Sequence, residues 1–234
     1  TIDVEVSGTG TVASLPPFVL SNPAYSEPAL VDVTAIGLAG GNGTDALENN
    51  GTINVQANAT GIAIVAEPLT SFTTSELPLV VNSTNAIGAT LDTSTTANAT
   101  AIGMVGEDGR VYRLVNEGTM DVTADADVVR TDISMALSDL GLANASTAAN
   151  AATIGLLGDE EPDTLTNAGT INTNANATNW NTAVSVNLAL SLGGDVAQSV
   201  SARSTGIFGG LEKDLLTNSG TINASSDSNI RSLG

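Results

Sequence analysis

The sequence predicts an all-β fold, a right-handed parallel β-solenoid built from repeated modules of 51 residues. Three observations predict it. A short unit, Leu-x-Asn-x-Gly-Thr-Ile, returns along the chain at a nearly constant interval. The residues after each copy alternate apolar and polar with period two, the signature of a half-buried strand. Only 3% of residues are aromatic although 41% are hydrophobic, so the core is made of Ala, Val, Ile and Leu. Small core residues suit a thin body in which every interior position lies near a wall, whereas a compact globule fills its centre with larger side chains.

The elements follow in chain order. The chain opens on Thr1-Ile2-Asp3-Val4, which matches the Thr-Ile start of the later copies. Next comes a column of Ala-Ile-Gly-Leu type: Ala35-Ile36-Gly37-Leu38, Ala101-Ile102-Gly103-Met104, Thr153-Ile154-Gly155-Leu156 and Ser204-Thr205-Gly206-Ile207. Val31, Val33 and Ala35 share one parity and Leu38 has the other. A phase change at a glycine predicts a bulge or corner there.

The Leu-x-Asn-x-Gly turn follows 14 or 15 residues later, from Gly37 to Gly51, Gly103 to Gly118, Gly155 to Gly169 and Gly206 to Gly220. Its asparagines are Asn49, Asn116, Asn167 and Asn218, and its glycines are Gly51, Gly118, Gly169 and Gly220. The intervals between these glycines are 67, 51 and 51 residues. Stacked coils would bring the asparagines into one ladder, each amide satisfying the next. The glycines are expected to serve the turn through positive φ. Beyond each turn, Ile53, Val55, Ala57 and Ala59 form one face, with Thr52, Asn54, Gln56 and Asn58 opposite. Met120, Val122, Ala124 and Ala126 repeat it, as do Ile171, Thr173, Ala175 and Ala177.

The modules run at about 1–51, 52–118, 119–169, 170–220 and, in part, 221–234. The second is the longer one, by the difference between an interval of 67 and one of 51, and that surplus is expected between Ala59 and Ala97. Prolines at Pro68 and Pro78 argue for an excursion outside the sheets. Whether each module forms one coil or two is open at this point.

These residues bring a family into view. The Leu-x-Asn-x-Gly-Thr-Ile unit, followed by an Ala-x-Ala strand and preceded by an Ala-Ile-Gly-Leu strand, resembles the passenger regions of bacterial autotransporters and related large exported β-solenoid adhesins. The resemblance covers nearly the whole chain. It implies a secreted or cell-surface protein with a structural or adhesive role, forming a rod, stalk or fibre. Apart from the resemblance, the acids recur in repeated rather than unique constellations, so no catalytic residues and no cofactor are expected.

Charge narrows the partners. The formal net charge is −19, from 25 acids against 6 bases, a field that repels nucleic acid and anionic lipid. No cysteine or histidine occurs, which removes disulfides and the usual ligands of a zinc site. No apolar run is long enough for a membrane-spanning helix. The chain reads as a mature product or a piece of something longer, and copies stacked head to tail, the rest of a longer chain, and surface glycans are the expected partners.

Weak calcium binding is the one metal expectation, at Asp45 and at Asp159, Glu160 and Asp163. Gly40-Gly41-Asn42-Gly43-Thr44-Asp45 matches the start of a calcium-binding nonapeptide, which works only as stacked tandem copies. The 159–163 acids crowd one turn, and the preferred reading is a solvated acidic turn. Two rival functions are a polysaccharide-active β-helix enzyme using paired carboxylates and a calcium-dependent surface-layer component. Trp180 invites stacking on a sugar, against the plainer expectation that it covers a coil edge. The Asn-x-Ser/Thr sequons read as composition in so Asn- and Thr-rich a chain.

Overall fold

The computed structural model describes residues 1–14, 25–26, 29–41, 45–67, 90–106, 113–136, 142–187 and 196–233. These residues form strands and turns with no helix. In chain order the strands are β1 (Ile2–Ser14), β2 (Tyr25–Ser26), β3 (Ala29–Ala39), β4 (Ala46–Asn49), β5 (Thr52–Glu67), β6 (Thr90–Val105) and β7 (Arg113–Asn116). They continue as β8 (Thr119–Ala136), β9 (Leu142–Leu157), β10 (Thr164–Asn167), β11 (Thr170–Asn187), β12 (Val196–Phe208), β13 (Leu215–Asn218) and β14 (Thr221–Leu233).

All strand pairs are parallel and fall into three sheets. The first sheet runs β1-β5-β8-β11-β14, the second β12-β9-β6 with β2 and β3 both on β6, and the third, of short strands, β13-β10-β7-β4. Ile53 pairs with Ile2 and Met120, and Ile171 with Met120 and Ile222. Successive modules are therefore neighbours in every sheet. Each module is one large coil, and the chain is a parallel β-solenoid.

The core lies between the two long sheets and reads as the alternation dictates. Ile53, Val55, Ala57 and Ala59 of β5 are buried, as are Met120, Val122, Ala124 and Ala126 of β8. Val31, Val33 and Ala35 of β3 and Ala97, Ala99 and Ala101 of β6 join them in one cluster. Where β5 carries glycine the sheets come close: a Cβ on Gly61 would sit 2.9 Å from Thr95 Cγ2. Such a seam holds no room for larger side chains.

The phase change at the Ala-Ile-Gly column is present. Ala101 is buried, and so is Met104 on the far side of Gly103. The ladder pairs Ile102 with Ile154 and Met104 with Leu156 across Gly103. A Cβ on Gly103 would lie 2.7 Å from the Gly155 carbonyl oxygen, so the corner demands close approach.

Close approach also corrects the reading of the turn glycines. Gly51, Gly118, Gly169 and Gly220 do not adopt positive φ, which among the described glycines belongs to Gly41 and Gly210. The turn carbonyls instead stack directly on the next coil: the N–H of Thr119 donates to the Gly51 carbonyl at 2.8 Å, and that of Thr170 to Gly118 at 2.8 Å. A Cβ on Gly118, Gly169 or Gly220 would run into the carbonyl oxygen of the glycine in the preceding coil.

The register also divides the surplus of the second module. The step from Glu67 to Thr90 is 23 along the chain, against 8 between their partners Ser134 and Leu142. The step from Val105 to Arg113 is 8, against 7 between Leu157 and Thr164. Fifteen extra residues thus fall between β5 and β6, and one falls between β6 and β7, rather than the whole surplus between Ala59 and Ala97. Pro68 and Pro78 lie outside the described residues.

Candidate functional site

The corner of the solenoid is built by the asparagines. Asn49 Nδ2 donates to Asn116 Oδ1 at 2.8 Å, Asn116 Nδ2 to Asn167 Oδ1 at 2.8 Å, and Asn167 Nδ2 to Asn218 Oδ1 at 2.8 Å. Each Nδ2 also reaches a backbone carbonyl of the next coil, at Thr119, Thr170 and Thr221, 3.2 Å away. Asn116 and Asn167 are fully buried. Amides suit the column because each carries a donor and an acceptor that point to opposite coils. This corner is structural.

The acids named for calcium do not make one site. Asp45, Asp163 and Asp214 each precede a strand of the third sheet, so they share a column, and Asp214 belongs with the two foreseen. Asp163 is buried, and its Oδ2 accepts the Asp159 N–H at 2.8 Å. Asp214 Oδ1 accepts the Asp163 N–H at 2.9 Å, and Asp159 Oδ1 accepts that of Glu161 at 2.7 Å. Glu160 is exposed. The Asp159, Asp163 and Asp214 carboxylates cap turns, and among the described residues no three acids converge into a group able to hold a metal. Asn42, Gly43 and Thr44 of the nonapeptide-like stretch lie outside the described residues.

The surface richest in binding chemistry is the outer face of the first sheet. Five in-register strands present columns of polar side chains there. One column runs Asp3, Asn54, Asp121, Asn172 and Asn223. Within it Asn54 Nδ2 donates to Asp3 Oδ1 (2.6 Å), Asn172 Nδ2 to Asp121 Oδ1 (2.7 Å) and Asn223 Nδ2 to Asn172 Oδ1 (2.8 Å). A parallel column joins Asn176 Nδ2 to Asp125 Oδ1 at 2.7 Å. A shallow, open depression lies over this lattice, lined by Asp121, Thr123, Asn172, Asn174, Asn223 and Ser225 among others.

Farther along the strands the columns change character. Thr60, Asp127, Thr178 and Asn229 form one, and Ile62, Val129, Trp180 and Arg231 form the next. Val129 is 43% exposed and Trp180 44%. The Arg231 guanidinium lies 5.5 Å from the centre of the Trp180 ring, a cation–π contact that holds the ring in place. Trp180 is therefore on the open face of the fourth strand of five, not over a coil edge. Its neighbours could have been found by stepping one module of the repeat either way, to Val129 and Arg231.

Asp127 sits between these regions. Partial burial pushes its carboxyl above the usual range, the Thr178 hydroxyl opposes the shift by hydrogen bonding, and the neighbouring Asp125 carboxylate adds to it. Across the outer face the acids are Asp3, Glu5, Asp121, Asp125, Asp127 and Asp227, against Arg231 as the one base among the described residues.

Behind this face the interior turns polar. Asn179 Nδ2 donates to Thr147 Oγ1 at 2.8 Å and to the Thr147 carbonyl at 3.1 Å, tying the two long sheets together. Arg130 and Asn181 are buried in the same stretch of the first sheet. Arg130 stands at an inward position of β8 that the alternating pattern reserves for apolar residues.

No family of known proteins, no curated protein and no solved structure matches this chain.

Proposed function

We propose that this chain is an exported structural or adhesive protein, an extended rod at a bacterial cell surface whose contact surface is the outer face of the first sheet. The observation that carries this reading is the face itself, where five coils in register repeat the same hydrogen-bonding columns along one axis. Such a surface offers many equivalent weak contacts, and linked weak contacts add up to strong attachment. The likeness of the repeat unit to autotransporter passengers and exported solenoid adhesins supports a place at the cell surface, and the net charge of −19 keeps a large assembly soluble. The role is non-catalytic. Asp3, Asp121 and Asp125 of the outer columns bond to neighbouring amides in ladders, whereas catalysis by paired carboxylates needs two acids poised across one substrate bond.

Adhesion of coated beads tests the proposal. Beads carrying the whole chain should be retained on polysaccharide-coated or cell-wall surfaces under washing that removes albumin-coated beads. Retention on none of them, or release of reducing sugar from the polysaccharide, would overturn it.

A further inference from the structure

We propose that a linear amine-bearing polysaccharide binds the outer face of the first sheet, lying along the solenoid axis with one sugar per coil over Ile62, Val129 and Trp180 and an ammonium group beside Asp127. This rests on the adhesive reading above and names the ligand class for it.

Four features lead there. The first is spacing. Parallel strands repeat about every 4.8 Å along the axis, and β-linked pyranose chains repeat on nearly that length. A short sugar chain on the axis therefore places one ring over each coil, and because β-1,4-linked rings turn over at each step, every second ring directs its amine to the Asp127 side. A peptide advances only about 3.3 Å per extended residue and falls out of step.

The second is the apolar row. Ile62, Val129 and Trp180 face outward on three successive strands. These three stand in line on neighbouring strands, with Trp180 and Val129 open, and exposed Ile64 and Leu233 extend the apolar strip into the next outward column. The C–H face of a pyranose packs on such surfaces, best on an aromatic ring. Arg231 lies over the ring, so the sugar packs on the part of Trp180 that remains exposed.

The third is the adjoining column. Thr60, Asp127, Thr178 and Asn229 run parallel to the apolar row, two residues back along each strand. Hydroxyl, carboxylate and amide groups beside an apolar floor match the edge of a sugar ring, where its hydroxyls and amines project. The fourth is charge. The acids of this face repel uronic or sulfated glycans and attract ammonium groups. A cation at Asp127 would also relieve its crowding with Asp125, which contributes to holding the Asp127 carboxyl high.

Trp180 is the chain's single tryptophan, so intrinsic fluorescence reports on the site directly. Fully deacetylated glucosamine oligomers of increasing length, titrated into the whole chain, should shift its emission. Affinity should rise with length over the first few sugars and weaken with salt. By calorimetry, Trp180→Ala and Asp127→Asn should each bind about tenfold more weakly, while Trp180→Phe retains most of the affinity. N-acetylated oligomers of equal length should bind at least about tenfold more weakly than the amines.

Equal affinity for acetylated and free-amine oligomers would overturn the charge argument. Equal competition by polylysine of matched charge would make the occupant a cationic peptide and overturn the glycan. Unchanged affinity in both Trp180→Ala and Asp127→Asn would overturn the location. Bead retention that glucosamine oligomers fail to block would sink this inference while leaving the adhesive reading intact. Loss of all bead retention would sink that reading instead.

Discussion

At the residue scale, the same residue type does different work at different positions. Asn167 is buried, with its Oδ1 accepting from Asn116 and its Nδ2 donating to Asn218 and to the Thr221 carbonyl. Asn174 is on the outer face, where its Oδ1 accepts from Ser225 Oγ. Removing the first amide leaves buried partners unpaired, a loss of about 1–3 kcal/mol. Removing the second should change stability by about 0.5 kcal/mol. Thermal melts of Asn167→Ala and Asn174→Ala should separate accordingly, and equal shifts would contradict the ladder's role. Asp127 gives a pH test. Its folded pKa is raised, so the folded chain binds its proton more tightly than the unfolded chain. The ionised carboxylate therefore destabilises the fold above the folded pKa, and the penalty vanishes as pH falls below the unfolded value. Asp127→Asn should raise the melting temperature at neutral pH, and the gain should disappear in acid; a gain independent of pH would speak against the shift.

At the element scale, the corner turn is defined by contact between coils. The Gly169 N–H donates to the Asn116 carbonyl at 2.9 Å, and its own carbonyl accepts from Thr221 at 2.9 Å. A methyl group at Gly169 would strike the Gly118 carbonyl oxygen of the coil before it. Gly169→Ala must push two coils apart at the corner or break their hydrogen bonds, with a cost of about 1–3 kcal/mol. Ala168→Ser, one position earlier on the exposed side of the turn, should be near neutral. Denaturant midpoints of the two variants decide this, and a tolerated Gly169→Ala would refute the close-approach explanation. The turn itself was legible because four copies share it. The reason for its glycine was not, because the obstacle is the carbonyl of a glycine one whole module away and not the local backbone.

At the scale of the whole molecule, each coil touches its neighbours in all three sheets, so stability should be a sum of coil and interface contributions. Deleting residues 119–169 removes β8, β9 and β10 and joins Gly118 to Thr170. β5 would then meet β11, β6 would meet β12, and β7 would meet β13, all with equivalent residues opposed. The shortened chain should fold, with circular dichroism still that of a β protein and a melting temperature close to the parent's. Deleting residues 120–169 leaves one residue too many. That slip turns the core face of every later strand outward unless the turn absorbs it. The second deletion should melt far lower or fail to fold, and equal stability of the two would deny that register is what holds the coils together.

The sequence by itself determined the all-β class, the module length, the inward and outward faces and the membership of the asparagine column. Each of these repeats along the chain, and repetition converts a local pattern into a prediction about neighbours. Tertiary structure alone decided the rest. It made each module one coil, because pairing between sheets depends on how far the chain travels before it closes on itself. It made turn caps of Asp159 and Asp163, because their carboxylate oxygens meet backbone N–H groups that the sequence does not place. It also set Trp180 between Val129 and Arg231 on an open acidic face, because a singular residue has no repeat to announce its surroundings and takes its meaning from the strands packed on either side.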